Sequence, residues 1–431
     1  MKHKLAFSLA SLTLAALALS ACAPSTGGST GTDAEGDEDV TLTVWSWRTE
    51  DADVYNAIFD VFEEANPGIT IDLQTFKNSE YTQILTTGLT GTSSSGPDVV
   101  QVQAYNRIQP FIEGGNLVPI EDIVDGLDNI DPAALEASLG REDGKIYGVP
   151  FATQAIQMFY NKGIFDELGL DEPTTWAEFI DVNEALADGG YTPIAVGAKD
   201  DWTLPIVHSA LATTAFGGDV FGDEVRSGEK DFTDPGFVQS IQVMKDLQPY
   251  MPADVTGVAY TDAQTLFIAE QAGMFPGGSF EINFFTTQNP DLELGMFPVP
   301  PVDGSSMSEG VVTGYQDGAF AINAASAKQE AAAKLLSWMT TTEFGQLFTD
   351  QTAQPSPVLG VSASDPLLKE ILDTYNANPQ KYLLYTDFRW GTPAASEIFN
   401  PGLQSLLLGD LSAADLAQQV TDGVSQWLTT P

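Results

Sequence analysis

Trp45, Ser46, Trp47 and Arg48 put two indole faces, a hydroxyl and a guanidinium into four consecutive positions at the end of an extended run. That is recognition chemistry: ring faces cover apolar surface, and the polar groups meet hydrogen-bonding partners. Gln103 and Tyr105 follow another extended run, and Gly278-Ser279-Phe280 follows a third. Gln154, Trp202 and the pair Arg389-Trp390 complete the candidate set. Trp45 and Trp47 have a structural alternative, core packing, and Trp202 has another, a staple against Ile206 at a helix start.

Covalent and metal chemistry find no matching pattern. Ser279 lacks the closing glycine of a nucleophile elbow, and residues 140–145 are one short of a phosphate-binding loop. His208 has no His, Cys or carboxylate set at metal-ligand spacing and reads as a satisfied helix histidine. No catalytic residue, cofactor or metal is expected.

The elements that must position these groups alternate from Val40 onward. Thr41–Trp47 alternates as a strand, and Val54, Ile58, Val61 and Phe62 then recur at helical spacing up to Asn66-Pro67-Gly68. Ile69, Ile71 and Leu73 form a second strand; a helix over residues 81–89 and a third strand, Val99–Gln103, come next. This order predicts an α/β fold, a mostly parallel sheet flanked by helices, with ligands outside the carboxyl ends of the strands. Later, Thr175-Trp176-Ala177-Glu178 matches a capping box, which makes Trp176 structural. Helices are expected over 204–216, 236–248 and 262–270, with strands at 191–197, 272–275 and 318–323.

Between Gly144 and Lys162, two apolar runs, Ile146–Val149 and Ile156–Tyr160, flank Pro150-Phe151-Ala152-Thr153-Gln154. Proline donates nothing to a ladder and biases its predecessor to extended geometry. The segment is either one extended stretch leaving one sheet for a second, or a bent strand in a single sheet. Gln354-Pro355-Ser356-Pro357 is a second crossing candidate.

At the N-terminus, Lys2 and Lys4 precede an apolar run, Leu5–Leu19, that ends at Leu19-Ser20-Ala21-Cys22. Residues 1–21 read as a secretory signal peptide, too short in its apolar part to span a membrane. The ending resembles the bacterial lipobox, which implies a diacylglyceryl group on Cys22, with palmitate-type chains, and retention on the outer face of the cell membrane. Residues 22–39 lack large apolar side chains and are expected to form a flexible tether. Cys22 is the only cysteine, so disulfides play no part. A net charge of −43 repels nucleic-acid phosphate and anionic lipid surfaces, excluding both as partners.

The ordered set V-W-S-W, A-N-P-G-I, G-P-D-V-V, P-F-A-T-Q-A-I-Q-M-F-Y-N-K, T-W-A-E-F, E-Q-A-G-M-F-P-G-G-S-F, F-P-V-P-P, G-A-F-A-I-N and E-A-A-A-K-L-L-S-W-M resembles the extracellular solute-binding proteins of family 1, the sugar-binding receptors of bacterial ABC importers. The resemblance implies a two-lobe type II fold with a ligand cleft between the lobes. The first lobe would be 40–150 with about 311–354 returning to it. The second would be 151–310 with about 355–431. Trp45, Ser46 and Gln103 would face the cleft from lobe one, and Gln154, Trp202, Gly278, Ser279 and Phe280 from lobe two or its seam. Arg389 and Trp390 stand where the maltose-binding relative has an aromatic sugar platform. Gln154 replaces a glutamate of that relative and Ser279-Phe280 its Pro-Trp, so the same sugar is not implied.

Trp with Gln, Asn, Asp and Arg suits a carbohydrate, whose C–H faces stack on rings and whose hydroxyls need donors and acceptors. An amino acid or peptide ligand would need charges, which Arg48, Arg389 and several Asp could provide. The leading expectation is a monomeric, lipid-anchored receptor for an oligosaccharide, delivering it to importer transmembrane subunits. The alternatives are a surface glycoside hydrolase or a carbohydrate-binding adhesin.

Overall fold

In the computed structural model, which describes residues 39–90 and 96–429, eleven strands are found among the described residues. In chain order they are β1 (Val40–Ser46), β2 (Ile69–Thr75), β3 (Val99–Gln103), β4 (Val149–Pro150), β5 (Thr153–Asn161) and β6 (Thr192–Ile194), then β7 (Ala272–Gly278), β8 (Leu294–Phe297), β9 (Thr313–Gln316), β10 (Gly318–Ile322) and β11 (Gln380–Lys381). They form two sheets. The first has the order β2-β1-β3-β10-β4, and the second β11-β9-β5-β7-β6 with β8 also on β5.

In β1 the apolar–polar alternation does what its period of two requires: Leu42 and Val44 are fully buried, with Ser46 beyond them on the same face. β1 runs parallel to β2 and β3, as the β-α-β pattern demands. The second sheet adds two parallel pairs, β6 with β7 and β9 with β11, and the remaining pairs make both sheets mixed. β10 is antiparallel to β3 and β4, and β5 is antiparallel to β7, β8 and β9. β5 and β10 each enter their sheet directly from the other one, without a helical crossover, so nothing forces them parallel.

Each sheet has its own core. Val44, Tyr55, Phe59, Val100, Phe320 and Phe348 pack about the first. About the second, Met158, Phe179, Leu211 and Phe237 pack on one side and Phe159, Phe267 and Phe285 on the other. β5, covered on both faces, is buried over its last eight residues. Helix Leu204–Phe216 is buried at every position, as a helix apolar all round should be. Thr175 and Glu178 make the expected capping box on helix Trp176–Asp188. The molecule is a two-lobe α/β protein.

The segment at Pro150 passes from one sheet to the other: Val149–Pro150 pairs with β10 in the first, and Thr153 begins β5 in the second. A single residue, Asp317, separates β9 in the second sheet from β10 in the first. Backbone bonds lace these passages, with Asp317 N–H donating to Ala152 O (3.1 Å) and Thr153 N–H to Pro355 O (2.9 Å). Gln354–Pro357 lies along this junction. Val358 still packs in the first core, and the second is reached with helix Pro366–Ala377, whose Leu368 and Ile371 are buried there. The terminal helices Ala395–Leu408 and Ala413–Val424 complete the second core. Cys22 and residues 1–38 lie outside the described residues. Among those described, no helix is long and apolar enough to cross a membrane.

Candidate functional site

β1 ends at the junction, and beyond Ser46 the chain turns inward. Ser46 Oγ donates to Gln101 Oε1 (2.6 Å) and accepts Arg48 N–H (2.9 Å), so the strand's last residue fixes the turn that aims Arg48. The guanidinium, 4% exposed, donates from Nε and Nη2 to Asp51 Oδ2 at 3.0 and 2.8 Å. Asp317 lies 3.7 Å from Nη1 and Glu50 3.6 Å from Nε. Burial opposes the charge on Arg48, but Asp51, Glu50 and Asp317 outweigh it and hold its pKa above the usual value. Burial also raises the Asp317 carboxyl, with Arg48 opposing. From the other lobe, the Phe280 ring lies 5.6 Å from the guanidinium carbon, a cation–π distance.

Gln154 and Ser279 meet behind this pair. Ser279 Oγ donates to Gln154 Oε1 (2.7 Å), and Gln154 Nε2 donates to Gln354 Oε1 (2.8 Å) and Asp317 Oδ2 (3.2 Å). Gln354 Nε2 in turn donates to Asp51 Oδ2 (3.1 Å). One buried polar network thus joins both lobes and the segments that pass between them.

On the second lobe, Trp202, Thr203, Tyr260, Gly277, Phe280 and Glu281 are among the residues that line a pocket. Trp202 and Tyr260 meet edge to face at 4.8 Å. Glu281 accepts from Tyr260 Oη (2.5 Å) and Gln264 Nε2 (2.8 Å). Burial nevertheless pushes its carboxyl up to about 7, against those two hydrogen bonds. A side chain at Gly278 would overlap the Phe280 ring, so glycine there lets Phe280 take its place in the wall. Rings beside buried acceptors can hold a molecule with apolar faces and hydroxyls.

Tyr105 reaches the junction after β3, with a left-handed φ of 62°. Its hydroxyl accepts Gln316 N–H (3.1 Å), and its ring meets half-buried Trp390 at 5.6 Å. Arg389 is buried beside them, its charge felt at the Tyr105 hydroxyl. Gln103 Nε2 reaches Asn78 Oδ1 at 3.4 Å.

The two N-terminal tryptophans sit elsewhere. Trp47 is 3% exposed between Tyr81 and Phe151 in the first core, so the core-packing alternative describes it. Trp45 lies on the face of β1 opposite Leu42 and Val44, bonded to Gln74 Oε1 (3.1 Å) and edge-on to Phe76. Trp202 packs with Ile206, as a staple would, and also lines the pocket. His208 bonds Ser240 Oγ at 2.9 Å, and burial pushes its imidazole down to about 3. Sequence reasoning missed Tyr260, Glu281, Asp51, Asp317 and Gln354. Glu281, directly after Gly278-Ser279-Phe280, carried a signal, whereas the others become neighbours only through the fold.

Two α/β lobes joined by short passages are the architecture of the two-lobe type II class of solute-binding proteins. Residues 46–346 match the model of the bacterial extracellular solute-binding proteins, and the chain belongs to that family, one of binding proteins. It is 26% identical over 338 residues to the multiple sugar-binding protein of Streptococcus mutans, covering 75% of this chain and 77% of that one. It is 24% identical over 362 residues to the galactooligosaccharide-binding protein of Bacillus subtilis, covering 82% and 80%. The bacterial solute receptor AcbH shares its fold, with a TM-score of 0.77 over 91% of this chain and 100% of that one, at 21% identity.

Proposed function

We propose that this solute-binding protein captures a carbohydrate, an oligosaccharide of a few rings, between its lobes and hands it unchanged to an ABC importer. The observation that carries this is the pocket lined by Trp202, Tyr260 and Phe280 together with Glu281, whose carboxyl accepts from Tyr260. Rings cover the C–H faces of a sugar, and carboxylate and amide acceptors take its hydroxyls. Tyr105 and Trp390 extend the aromatic surface along the junction, where a second ring could stack. The Streptococcus and Bacillus relatives, both named as sugar-binding proteins, support the same class.

In this reading the first lobe is 40–150 with about 311–354, and the second 151–310 with about 355–431. The chain works as a monomer with no chemistry on its ligand. A lipid on Cys22 holds it at the outer face of the membrane, and residues 22–39 space it from the surface. Calorimetric titration with a panel of oligosaccharides, with amino acids as controls, tests the proposal. Saturable heat from at least one oligosaccharide, recovered chemically intact, is expected. Heat only from the amino acids, or hydrolysis of the bound sugar, would overturn it.

A further inference from the structure

Arg48 is buried and fully paired, yet it touches a pocket wall that belongs to the other lobe. Its anchors and its target are carried by different bodies. Asp51 and Glu50 share its lobe, and Asp317 sits on the passage between β9 and β10. Phe280 follows β7 and packs with Ile156, Ile206 and Ala210 of the second lobe. If the lobes part about the laced junction, Arg48 keeps Asp51, because both ride on the first lobe. Asp317 lies at the pivot and moves least. Phe280 leaves. The cation–π contact is therefore made by closure and broken by opening, while the ion pairs persist.

We infer that Arg48 is a positioning residue: its guanidinium, held by Asp51 and Asp317, clasps the Phe280 ring across the junction and raises the share of closed molecules before any ligand arrives. This rests on the reading of the site as a sugar receptor that closes. The carboxylates supply what the clasp needs. They keep a buried guanidinium charged and hold it in one place, so little ordering remains to be lost when Phe280 docks. Phe280 also walls the pocket with Trp202, Tyr260 and Glu281, so the clasp links the balance of the lobes to the shape of the site. A ligand binding the closed form gains from a larger closed share whatever its identity.

The test uses the full chain with Cys22→Ser, so that two dyes can be placed at exposed Glu80→Cys in the first lobe and Thr261→Cys in the second. The distance between them is measured without sugar. Arg48→Met should raise the open-to-closed ratio about tenfold, equivalent to about 1.4 kcal/mol, a size within reach of a desolvated cation–π contact. That variant strips Asp51 and Asp317 of their counter-ion, so its melting temperature is checked. Phe280→Leu leaves the ion pairs intact and decides the matter should Arg48→Met not fold. The double variant should open no further than either single one. In titrations with maltotriose, raffinose and chitotriose, Arg48→Met should weaken every sugar that binds by the same factor. Unchanged ligand-free distances in Phe280→Leu would overturn the clasp, as would a loss confined to one sugar, which would make Arg48 a ligand contact. If the parent binds none of the three, the sugar reading suffers, while the ligand-free distances still decide the clasp.

Discussion

Tyr105 and Trp390 meet edge to face with ring planes at 89°, the first placed by the end of β3 and the second by the segment before helix Ala395–Leu408. Trp390 is partly exposed, and in the sugar-receptor reading its exposed part stacks on the ligand. Trp390→Ala should weaken oligosaccharide binding by about 1–3 kcal/mol, the scale for losing an aromatic surface. Calorimetry alongside thermal melting checks it. A large fall in melting temperature with affinity unchanged would make Trp390 a structural prop.

Glu281 should leave a mark on stability against pH. Burial raises its carboxyl to about 7 from an ordinary 4.5, so the folded chain binds that proton more tightly than the unfolded one. Its stabilising contribution is complete below about 4.5 and is lost as pH rises through about 7. Glu281→Gln should remove a decline on the order of 3 kcal/mol across that window. Denaturant midpoints of parent and variant at pH 5 and pH 8 measure it. The difference between them cancels His208, whose lowered pKa works in the opposite sense by costing stability as pH falls. Parallel pH profiles for the two proteins would contradict the assignment.

Anchoring is tested at Cys22. Cys22→Ser should release the protein to the medium or leave an uncleaved precursor, and should abolish labelling by a fatty-acid analogue. Full membrane retention with labelling intact would contradict a lipid on this cysteine.

Much of the fold was legible because its signals are local. The alternation in β1, the capping box at Thr175 and the proline at position 150 each act through neighbours in the chain. The site was less so. Gln154, Ser279, Phe280 and Arg48 could be picked by type, but their joining depends on Asp51, Asp317 and Gln354, the first and last of which bond across 303 positions of chain. Trp45 and Trp47 show the limit of composition. Two residues apart, they share a strand exit, yet one covers Phe76 and the other fills the core. A continuing strand would have put both on one face, but β1 ends at Ser46 and the chain turns before Trp47.

The central claim is capture by closure, and the dye pair at positions 80 and 261 tests it most directly when the best oligosaccharide of the panel is titrated. The account predicts that the mean separation shortens saturably, with a midpoint matching the calorimetric Kd, because the sugar touches both lobes and favours the closed form only by its differential affinity. An unchanged separation at saturation, with binding confirmed by calorimetry, would mean a rigid preformed site and contradict the account.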